Sequence, residues 1–460
     1  MRHSPAAATV SRAPRRRLGG VAIALLVALG ALVAGLPAAQ VWAIEPSESV
    51  QRALQQMEAK RYSLARSYLD PVVIDPRLTA TQRARAYYLR GRAFLDDGLY
   101  VSAAQDYTRA LELDPDNPTV LAELGRLYAE GIGVEKSSDK AFTLLQKAAR
   151  GGNDIARVYV GYALLTGTGT ARDVDKARYW LREAADAGHV DALVQLARSY
   201  RAPYSNPPDI ERALTLYREA IDKGSVDALV ALGYMHVERE LGKPDLPRAT
   251  EYFRQAAERG SGAGQTALGF VYLGERRYAD ARHWFERATA AGYPDAFAGL
   301  GRIYQNGFGV AANRSRALEL FSKGAALGDV QSQLILASLE LEAPVTLART
   351  QQALHWLRLA AQRDHAQGHN GLAWVLSTTR FDELRDGSAA LASAQRATEL
   401  ARSANTLDTL AAAYAETGDF DRAVVTQREA LAIIDAEHAP LRAEFERHLD
   451  RYLQRKPWRE

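Results

Sequence analysis

Two histidines in the C-terminal third of the chain have a spacing that could support chemistry. His365 and His369 stand four residues apart, a spacing that can place two imidazoles on one metal ion. No glutamate lies between them, as the H-E-x-x-H motif requires, and Gly368 interrupts the segment. We therefore interpret the pair as histidines that are solvated or hydrogen-bonded locally, and we expect no metal site.

A glycine-rich loop is the second candidate for chemistry. Residues 166–170 read Thr-Gly-Thr-Gly-Thr, which could be taken for a loop that holds phosphate. The loop follows a helix pattern and lacks the lysine and hydroxyl residue that end such loops. The chain has no cysteine, which excludes disulfides, thiolate ligands and cysteine nucleophiles. The other histidines have no acid or nucleophile in phase with them, so we predict a protein that is not an enzyme and uses no cofactor.

The glycine-rich loop belongs to a larger helical pattern. Residues 154–188 contain two apolar helix patterns, 155–165 and 177–185, and the turn between them carries Gly167 and Gly169. Glycine allows the left-handed backbone angles that such a turn needs. Two helices cannot bury all of their apolar surface alone. This segment is therefore predicted to be one layer of a stack of helix pairs.

Small residues recur in phase along the chain, at an interval of 36 residues that is shortened once to 32. They mark the end of each repeat, the start of its second helix and a close contact in its first helix. The three series are Gly152, Gly188, Gly224, Gly260, Gly292 and Gly328; Ala141, Ala177, Ala213, Ala249, Ala281, Ala317 and Ala353; and Gly125, Gly161, Ala197, Gly233, Gly269, Gly301 and Ala337. The shared phase predicts that these positions pack closely against neighbouring helices.

At these residues the chain resembles the Sel1-like repeats, a branch of the tetratricopeptide-repeat superfamily. The motif L-G-x-x-Y appears at 300–304 and the motif G-x-G-V at 307–310. Residues 81–117 resemble a standard tetratricopeptide repeat, with Tyr87, Gly91, Phe94, Ala103, Tyr107, Ala110 and Pro115 at its core positions. The resemblance implies a right-handed α-solenoid, and such solenoids usually act as protein-binding scaffolds. A repeat family identifies an architecture and not a partner.

We predict an all-α fold, a right-handed α-solenoid of about eleven helix-turn-helix repeats with a C-terminal capping helix. The predicted segments are a signal peptide (1–43), a degenerate N-terminal repeat (44–80), a tetratricopeptide repeat (81–117), Sel1-like repeats (118–365), C-terminal tetratricopeptide-like repeats (366–436), and a capping helix and tail (437–460). Without cysteine, stability must come from packing between repeats.

The resemblance also implies where a partner would bind, because the first helix of each repeat lines the concave groove in tetratricopeptide stacks. The residue after the small position of that helix is predicted to point into the groove. Arginine and aromatic residues dominate this register, and both are enriched at binding hot spots. Alternatively, the rings pack between adjacent first helices and the arginines are solvated. The predicted binding residues are Arg92, Arg126, Tyr162, Arg198, Tyr234, Phe270, Arg302 and Trp374, and the same register continues with Ser338 and Ala412.

The amino-terminal segment has the features of an export signal. Arg12 and the run 15–17 form a positive region, residues 18–36 are apolar, and Val41-Trp42-Ala43 is a small-residue cleavage site. We predict cleavage between Ala43 and Ile44, which makes the protein periplasmic or secreted. The alternative is an uncleaved membrane anchor, although the glycines of the apolar run favour a signal peptide. The route, general or twin-arginine, stays open.

The charge of the chain argues against nucleic acid as a partner. The formal net charge is +3, and the predicted signal peptide carries five arginines and no acidic residue, so the mature chain has a charge of about −2. Phosphate binding needs a basic excess gathered on one face. Charges of both signs alternate along the helices instead, which is typical of a solvated surface.

The sequence therefore favours a non-catalytic, exported scaffold that binds protein partners in the periplasm or cell envelope, in envelope or polysaccharide assembly. The alternative is a carbohydrate-binding module, whose groove aromatics stack on sugar rings and whose arginines bind acidic groups. Two unusual loops, 202–209 and 241–245, lie at one edge of the predicted solenoid. They are either a further binding edge or tolerated variation at an exposed turn.

Overall fold

A computed structural model of the chain describes residues 47–238, 240–342, 344–434 and 439–460. These residues contain 23 α-helices and two short 3₁₀ turns, Asp382–Leu384 and Ala439–Leu441, and they contain no strand. They form two compact units, one that ends at Tyr252 and one that begins at Phe253. The predicted signal peptide and its cleavage site lie outside the described residues.

The N-terminal unit consists of antiparallel helix pairs around a core of alanine, leucine and valine. Its helices are α1 (Glu48–Glu58), α2 (Tyr62–Val73), α3 (Ala80–Asp96), α4 (Tyr100–Leu113), α5 (Pro118–Glu130), α6 (Ser138–Arg150), α7 (Asp154–Thr166), α8 (Val174–Asp186), α9 (Val190–Ser199), α10 (Ile210–Asp222) and α11 (Val226–Val237). Helix α12 (Leu246–Glu258) contains the division between the two units.

The C-terminal unit continues the same pairing. Its helices are α13 (Gly262–Gly274), α14 (Tyr278–Ala290), α15 (Pro294–Asn306), α16 (Arg314–Ala326), α17 (Val330–Leu341), α18 (Leu347–Gln362), α19 (Ala366–Thr378), α20 (Gly387–Leu400), α21 (Ala404–Glu416), α22 (Phe420–Ala432) and α23 (Arg442–Leu453). Helices α1 to α10 make five pairs, helices α13 to α22 make five more, and α23 follows them as a single helix. Helices α11 and α12 follow each other in the chain at the division between the units. The predicted all-α repeat fold is confirmed.

The helix ends are set by local sequence, as α7 and α8 show. The side chain of Asn153 accepts a hydrogen bond of 2.8 Å from the backbone N–H of Ala156, which caps the start of α7. Gly167 ends α7 with a φ of 77°, in the left-handed region that glycine adopts without strain. Asp173 then caps α8 by accepting from the N–H of Lys176 at 3.0 Å. One glycine and one short polar residue thus fix the turn between α7 and α8.

The phased small residues of the first helices lie against large buried residues of the second helices. A Cβ atom built on Gly161 would stand 2.5 Å from Cγ of Leu181, its partner in the same pair. At Gly91 the corresponding atom would stand 2.7 Å from Cε1 of Tyr107. Leu181 and Tyr107 are fully buried. A side chain at either glycine would therefore force the two helices of the pair apart.

The second glycine of the G-x-G loops joins consecutive pairs. Gly169, at the end of the loop after α7, lies against the backbone of Ser138 at the start of α6. Gly309, after α15, lies against Cβ of Tyr278 at the start of α14. Both glycines have positive φ values, 68° and 67°. Each loop thus contacts the second helix of the preceding pair, which explains why the glycines recur with the repeat.

First helices also contact the first helices of the next pair. Among the described residues of the N-terminal unit, the more extensive contacts between first helices join α7 with α9. In the C-terminal unit they join α13, α15, α17, α19, α21 and α23 in succession. We call the side of each unit that is formed by its first helices, with α23 included, the first-helix face. No described helix has the length and apolar character that a membrane span requires.

Candidate protein-binding face

The predicted binding residues are mostly half-buried on the first-helix face. Half burial fixes a side chain by packing while part of its surface stays available to a partner. The half-buried residues are Arg92, Arg126, Tyr162 and Tyr234 in the N-terminal unit, and Phe270, Arg302 and Trp374 in the C-terminal unit. Arg198 differs, because only 6% of it is exposed. Their role in binding stays a prediction.

Arg126 is held between two carboxylates of its own helix. Its guanidinium lies 3.3 Å from Oε2 of Glu123, one turn before it, and 3.0 Å from Oε2 of Glu130, one turn after it. All three side chains are largely enclosed. Burial raises the pKa of Glu130, and the charge of Arg126 opposes that rise. The two carboxylates orient the guanidinium and neutralise it, so Arg126 is a fixed donor rather than a mobile charge.

Arg198 is the centre of a charge cluster that spans three consecutive first helices. It donates a hydrogen bond of 3.1 Å to Oε1 of Gln195 within α9. Burial raises the pKa of Asp227 in α11 and of Tyr162 in α7. The positive charge of Arg198 opposes both increases. Burial raises the pKa of Asp191 too, and that carboxylate raises the pKa of Asp227 further. Arg198 is therefore a buried member of this cluster, and little of its surface is exposed to solvent.

In the C-terminal unit, the register residues have different surroundings. The ring of Phe270 makes an edge contact with Phe285, with centroids 4.9 Å apart, and Phe285 is fully buried. Phe270 thus contributes to the packing of its own helix pair. Arg302 is half-buried on α15, and no described carboxylate forms an ion pair with it. The guanidinium of Arg302 is therefore the more available donor.

Trp374 is already in contact with the end of the chain. Its Nε1 donates a hydrogen bond of 3.0 Å to Oε2 of Glu460, and its ring lies 5.6 Å from the ring of His448. This contact was not predicted from the sequence. Residues 456–460 have no helical period, and Trp458 in an otherwise polar tail is the one signal that could have indicated packing. One end of the first-helix face thus holds an extended peptide.

The paired histidines lie beside charged and buried groups of their own repeat. Nε2 of His369 lies 3.5 Å from Oδ1 of Asp364, and Arg396 Nε donates to the same carboxylate oxygen at 2.7 Å. Burial lowers the pKa of both His365 and His369, which disfavours their charged forms. Among the described residues, no group of three or more His, Cys, Asp or Glu side chains could hold a metal ion.

The unusual loop 202–209 is held by an arginine of the connection between α7 and α8, and arginines of α8 and α10 contact the tyrosine before it. Arg172 donates a hydrogen bond of 2.6 Å to the carbonyl oxygen of Pro203. Before the loop, the ring of Tyr200 is flanked by the guanidinium carbons of Arg178, at 4.1 Å, and Arg212, at 4.8 Å. These cation–π contacts help to fix the chain where the loop begins. Whether this edge binds a partner stays a prediction.

Two family models match the chain over the regions where the small residues recur. The Sel1 repeat matches residues 119–153, 155–189, 190–225, 226–261, 263–293, 294–329 and 350–365. The tetratricopeptide repeat matches residues 84–117. A comparison with curated proteins gives no match.

Several solved structures resemble the chain. The protective antigen c5321 of uropathogenic Escherichia coli, which displays an SLR fold, is 22% identical, with 88% of this chain and 92% of that chain covered and a TM-score of 0.42. A Sel1 repeat protein from Oxalobacter formigenes is 26% identical, with 51% and 98% covered and a TM-score of 0.42. A chain of the APC/C hetero-tetramer Cut9–Hcn1 is 17% identical, with 88% and 79% covered and a TM-score of 0.49.

The assignment of a family depends on the repeats themselves rather than on these neighbours. Six of the seven Sel1 matches and the tetratricopeptide match each span two consecutive helices, and the seventh Sel1 match lies on α18. The glycines and alanines of these helices pack as the phase predicts. The chain belongs to the Sel1-like repeat proteins of the tetratricopeptide-repeat superfamily.

Proposed function

We propose that this protein is an exported, non-catalytic scaffold of the cell envelope that binds protein partners on its first-helix face. Sel1 and tetratricopeptide repeats generally bind proteins, and this repeat fold suits that role. The observation that carries the proposal is the contact of residues 456–460 with α19, α21 and α23, because it is an extended polypeptide bound on this face. Earlier in the chain, the first helices of the same unit present half-buried Phe270 and Arg302.

The chemistry of the face favours a polypeptide partner. Arg302 has an available guanidinium, while Arg126 is flanked by Glu123 and Glu130. Donors and acceptors of both signs suit the mixed charges and backbone amides of a peptide. Rings such as Tyr162 add apolar contact area with a polar tip. Binding of this kind needs no cofactor or metal.

Export and the envelope setting belong to the same proposal. They are supported by the arginine cluster, the apolar segment 18–36 and the cleavage motif that ends at Ala43. A scaffold without cysteine does not depend on disulfide formation after export. Envelope or polysaccharide assembly is the process in which we place it, because such assemblies need several proteins to be held together.

The experiment that tests the proposal is affinity capture of the full chain from cross-linked cell envelopes, followed by mass spectrometry. We expect the same protein partners in repeated preparations and their absence from a cytosolic fraction. Capture of envelope glycans without protein would replace the proposal with the carbohydrate-binding alternative. Recovery of neither would contradict a scaffold function in the envelope.

A further inference from the structure

The last five residues of the described chain, 456–460, pack on the first-helix face of the C-terminal unit. We call these residues the tail, and we call the surface beneath them the tail site. The tail site consists of residues 374–380 at the end of α19, Glu416 at the end of α21, and His448 on α23. Helix α23 ends at Leu453, and Arg455 has a φ of 54°, so the chain turns sharply there.

The tail binds the tail site through its backbone. The N–H of Arg380 donates to the carbonyl oxygen of Glu460, and the N–H of Glu460 donates to the carbonyl oxygen of Thr378, each at 2.8 Å. This reciprocal pair resembles one step of a two-stranded ladder. Backbone hydrogen bonds of this kind select an extended conformation and not a particular side chain. Any extended segment could therefore make the same two bonds.

An arginine gives the contact its charge specificity. The guanidinium of Arg459 lies 2.6 Å from Oε2 of Glu416 and donates a hydrogen bond of 3.0 Å to the carbonyl oxygen of Ser377. Only 12% of the Glu416 side chain is exposed, and its Oε1 lies 3.2 Å from Nε of Arg385. A carboxylate this enclosed needs cationic partners. Arg459 supplies one of them from the tail, whereas Arg385 supplies the other from the repeat itself.

A tryptophan covers a buried histidine network. The ring of Trp458 lies 4.4 Å from the ring of His448. His448 is 1% exposed, and its Nδ1 lies 2.8 Å from Oδ1 of Asp408. Gln427 donates to the same oxygen at 2.6 Å. Nε2 of His448 is buried without a hydrogen-bond partner among the described residues. The tail site thus offers a rigid ring platform on which a tryptophan packs.

We propose that the tail site is a peptide-binding site for extended segments that carry tryptophan, arginine and an acidic residue in succession, and that the chain's own tail fills it in cis. The side-chain contacts described above are made by three consecutive tail residues, Trp458, Arg459 and Glu460. A partner segment with the same triplet can therefore replace the tail. The tail then acts as a tethered competitor, whose effective concentration is on the order of millimolar. This inference names a partner chemistry for one end of the proposed scaffold face and so rests on the proposed function.

The test uses the full chain and a fluorescent synthetic peptide, Arg-Lys-Pro-Trp-Arg-Glu, which copies residues 455–460. Two variants release the tail in different ways: Trp458→Ala removes the ring, and Arg459→Glu repels Glu416. By fluorescence anisotropy, we expect the peptide to bind each released variant at least tenfold more tightly than the unchanged chain. Adding Glu416→Gln to either variant should weaken peptide binding at least tenfold.

The other outcomes each overturn the inference. Equal binding to the released and unchanged chains, or binding that ignores Glu416→Gln, would show that the peptide does not use the tail site. If circular dichroism shows both released variants unfolded, the tail is part of the fold and not an exchangeable ligand. A concentration-dependent dimer in analytical ultracentrifugation that both variants abolish would make a second copy the occupant. If the peptide does not bind but envelope partners are still captured, this inference is wrong and the proposed function is not affected.

Discussion

Phe285 fills the space that a side chain at Gly269 would need. A Cβ atom built on Gly269 would stand 2.7 Å from Cε1 of the ring, and one built on Gly299, in the next first helix, would stand 2.5 Å from the same atom. One aromatic ring on α14 therefore sets the distance to α13 and to α15. This contact joins two consecutive helix pairs of the C-terminal unit.

Replacement of Gly269 by leucine should destabilise the protein. The side chain would collide with the fully buried ring of Phe285, and overpacking of this kind costs about 1–3 kcal/mol. Thermal unfolding followed by circular dichroism should show a lower melting temperature. The control is Gly274→Leu at the exposed end of the same helix, where no atom lies within 4 Å of the added Cβ. Equal melting temperatures for the two variants would mean that this contact does not limit the packing.

Alanine at Gly169 should cost more stability than alanine at Gly188. Both glycines have positive φ values, 68° and 95°, so each variant incurs the left-handed strain of about 1–2 kcal/mol. Only at Gly169 would the added Cβ also collide with the backbone of Ser138. Urea denaturation should therefore give a lower free energy of unfolding for Gly169→Ala. A larger loss for Gly188→Ala would disprove the loop contact between pairs.

Asp329 should make stability depend on pH in mildly acidic solution. Burial and the neighbouring Asp295 raise the pKa of this carboxyl from 3.8 to about 6, although Ser332 donates hydrogen bonds to it. The folded state thus holds the proton more tightly than the unfolded state. The resulting stability is complete below pH 3.8 and is lost as the pH rises through about 6, with a magnitude on the order of 3 kcal/mol.

The measurement for Asp329 is the free energy of unfolding between pH 3.5 and 7, for the unchanged chain and for Asp329→Asn. Asparagine keeps one acceptor oxygen for a capping hydrogen bond from a backbone N–H of α17. We expect the unchanged chain to lose stability relative to the variant as the pH rises. Parallel pH profiles would show that the carboxyl has an ordinary pKa in the folded protein.

Much of the fold was predictable because the sequence records the helix contacts directly. Glycine and alanine recur where two helices approach, and the seven phased alanines that begin the second helices, Ala141, Ala177, Ala213, Ala249, Ala281, Ala317 and Ala353, are all buried. Such positions admit no larger residue, so their spacing reveals the length of the repeat. The order of the helix pairs follows from that spacing.

The environment of the binding residues was less predictable. Arg126, Arg198 and Arg302 occupy the same position in their repeats, the residue after the small one. Arg126 nevertheless pairs with two carboxylates, Arg198 is nearly enclosed, and Arg302 has no ion pair among the described residues. These differences depend on how closely neighbouring first helices approach, which a single repeat does not encode. The tail contact could not be predicted either, because Arg459 and Glu416 are 43 positions apart and share no pattern.

Export is tested at the amino terminus of the mature protein. Mass spectrometry of the chain purified from the cell envelope should give a first residue at Ile44, because Val41-Trp42-Ala43 has the small residues that the peptidase recognises. A substitution of Ala43 by a bulky residue such as tryptophan should block processing and leave the precursor. Recovery of the unprocessed chain from the inner membrane would favour the anchor alternative.

The measurement that tests the central claim most directly is partner binding by matched variants of the two helix classes. Arg302→Ala on a first helix is compared with Arg287→Ala on a second helix, and Tyr162→Ala with Tyr179→Ala. Melting temperatures first confirm that all four variants are folded. A true hot spot costs about 2 kcal/mol or more, so the first-helix variants should bind an envelope partner over tenfold more weakly. Unchanged binding by these variants, with loss in Arg287→Ala or Tyr179→Ala, would contradict the account and place the partner on the second helices.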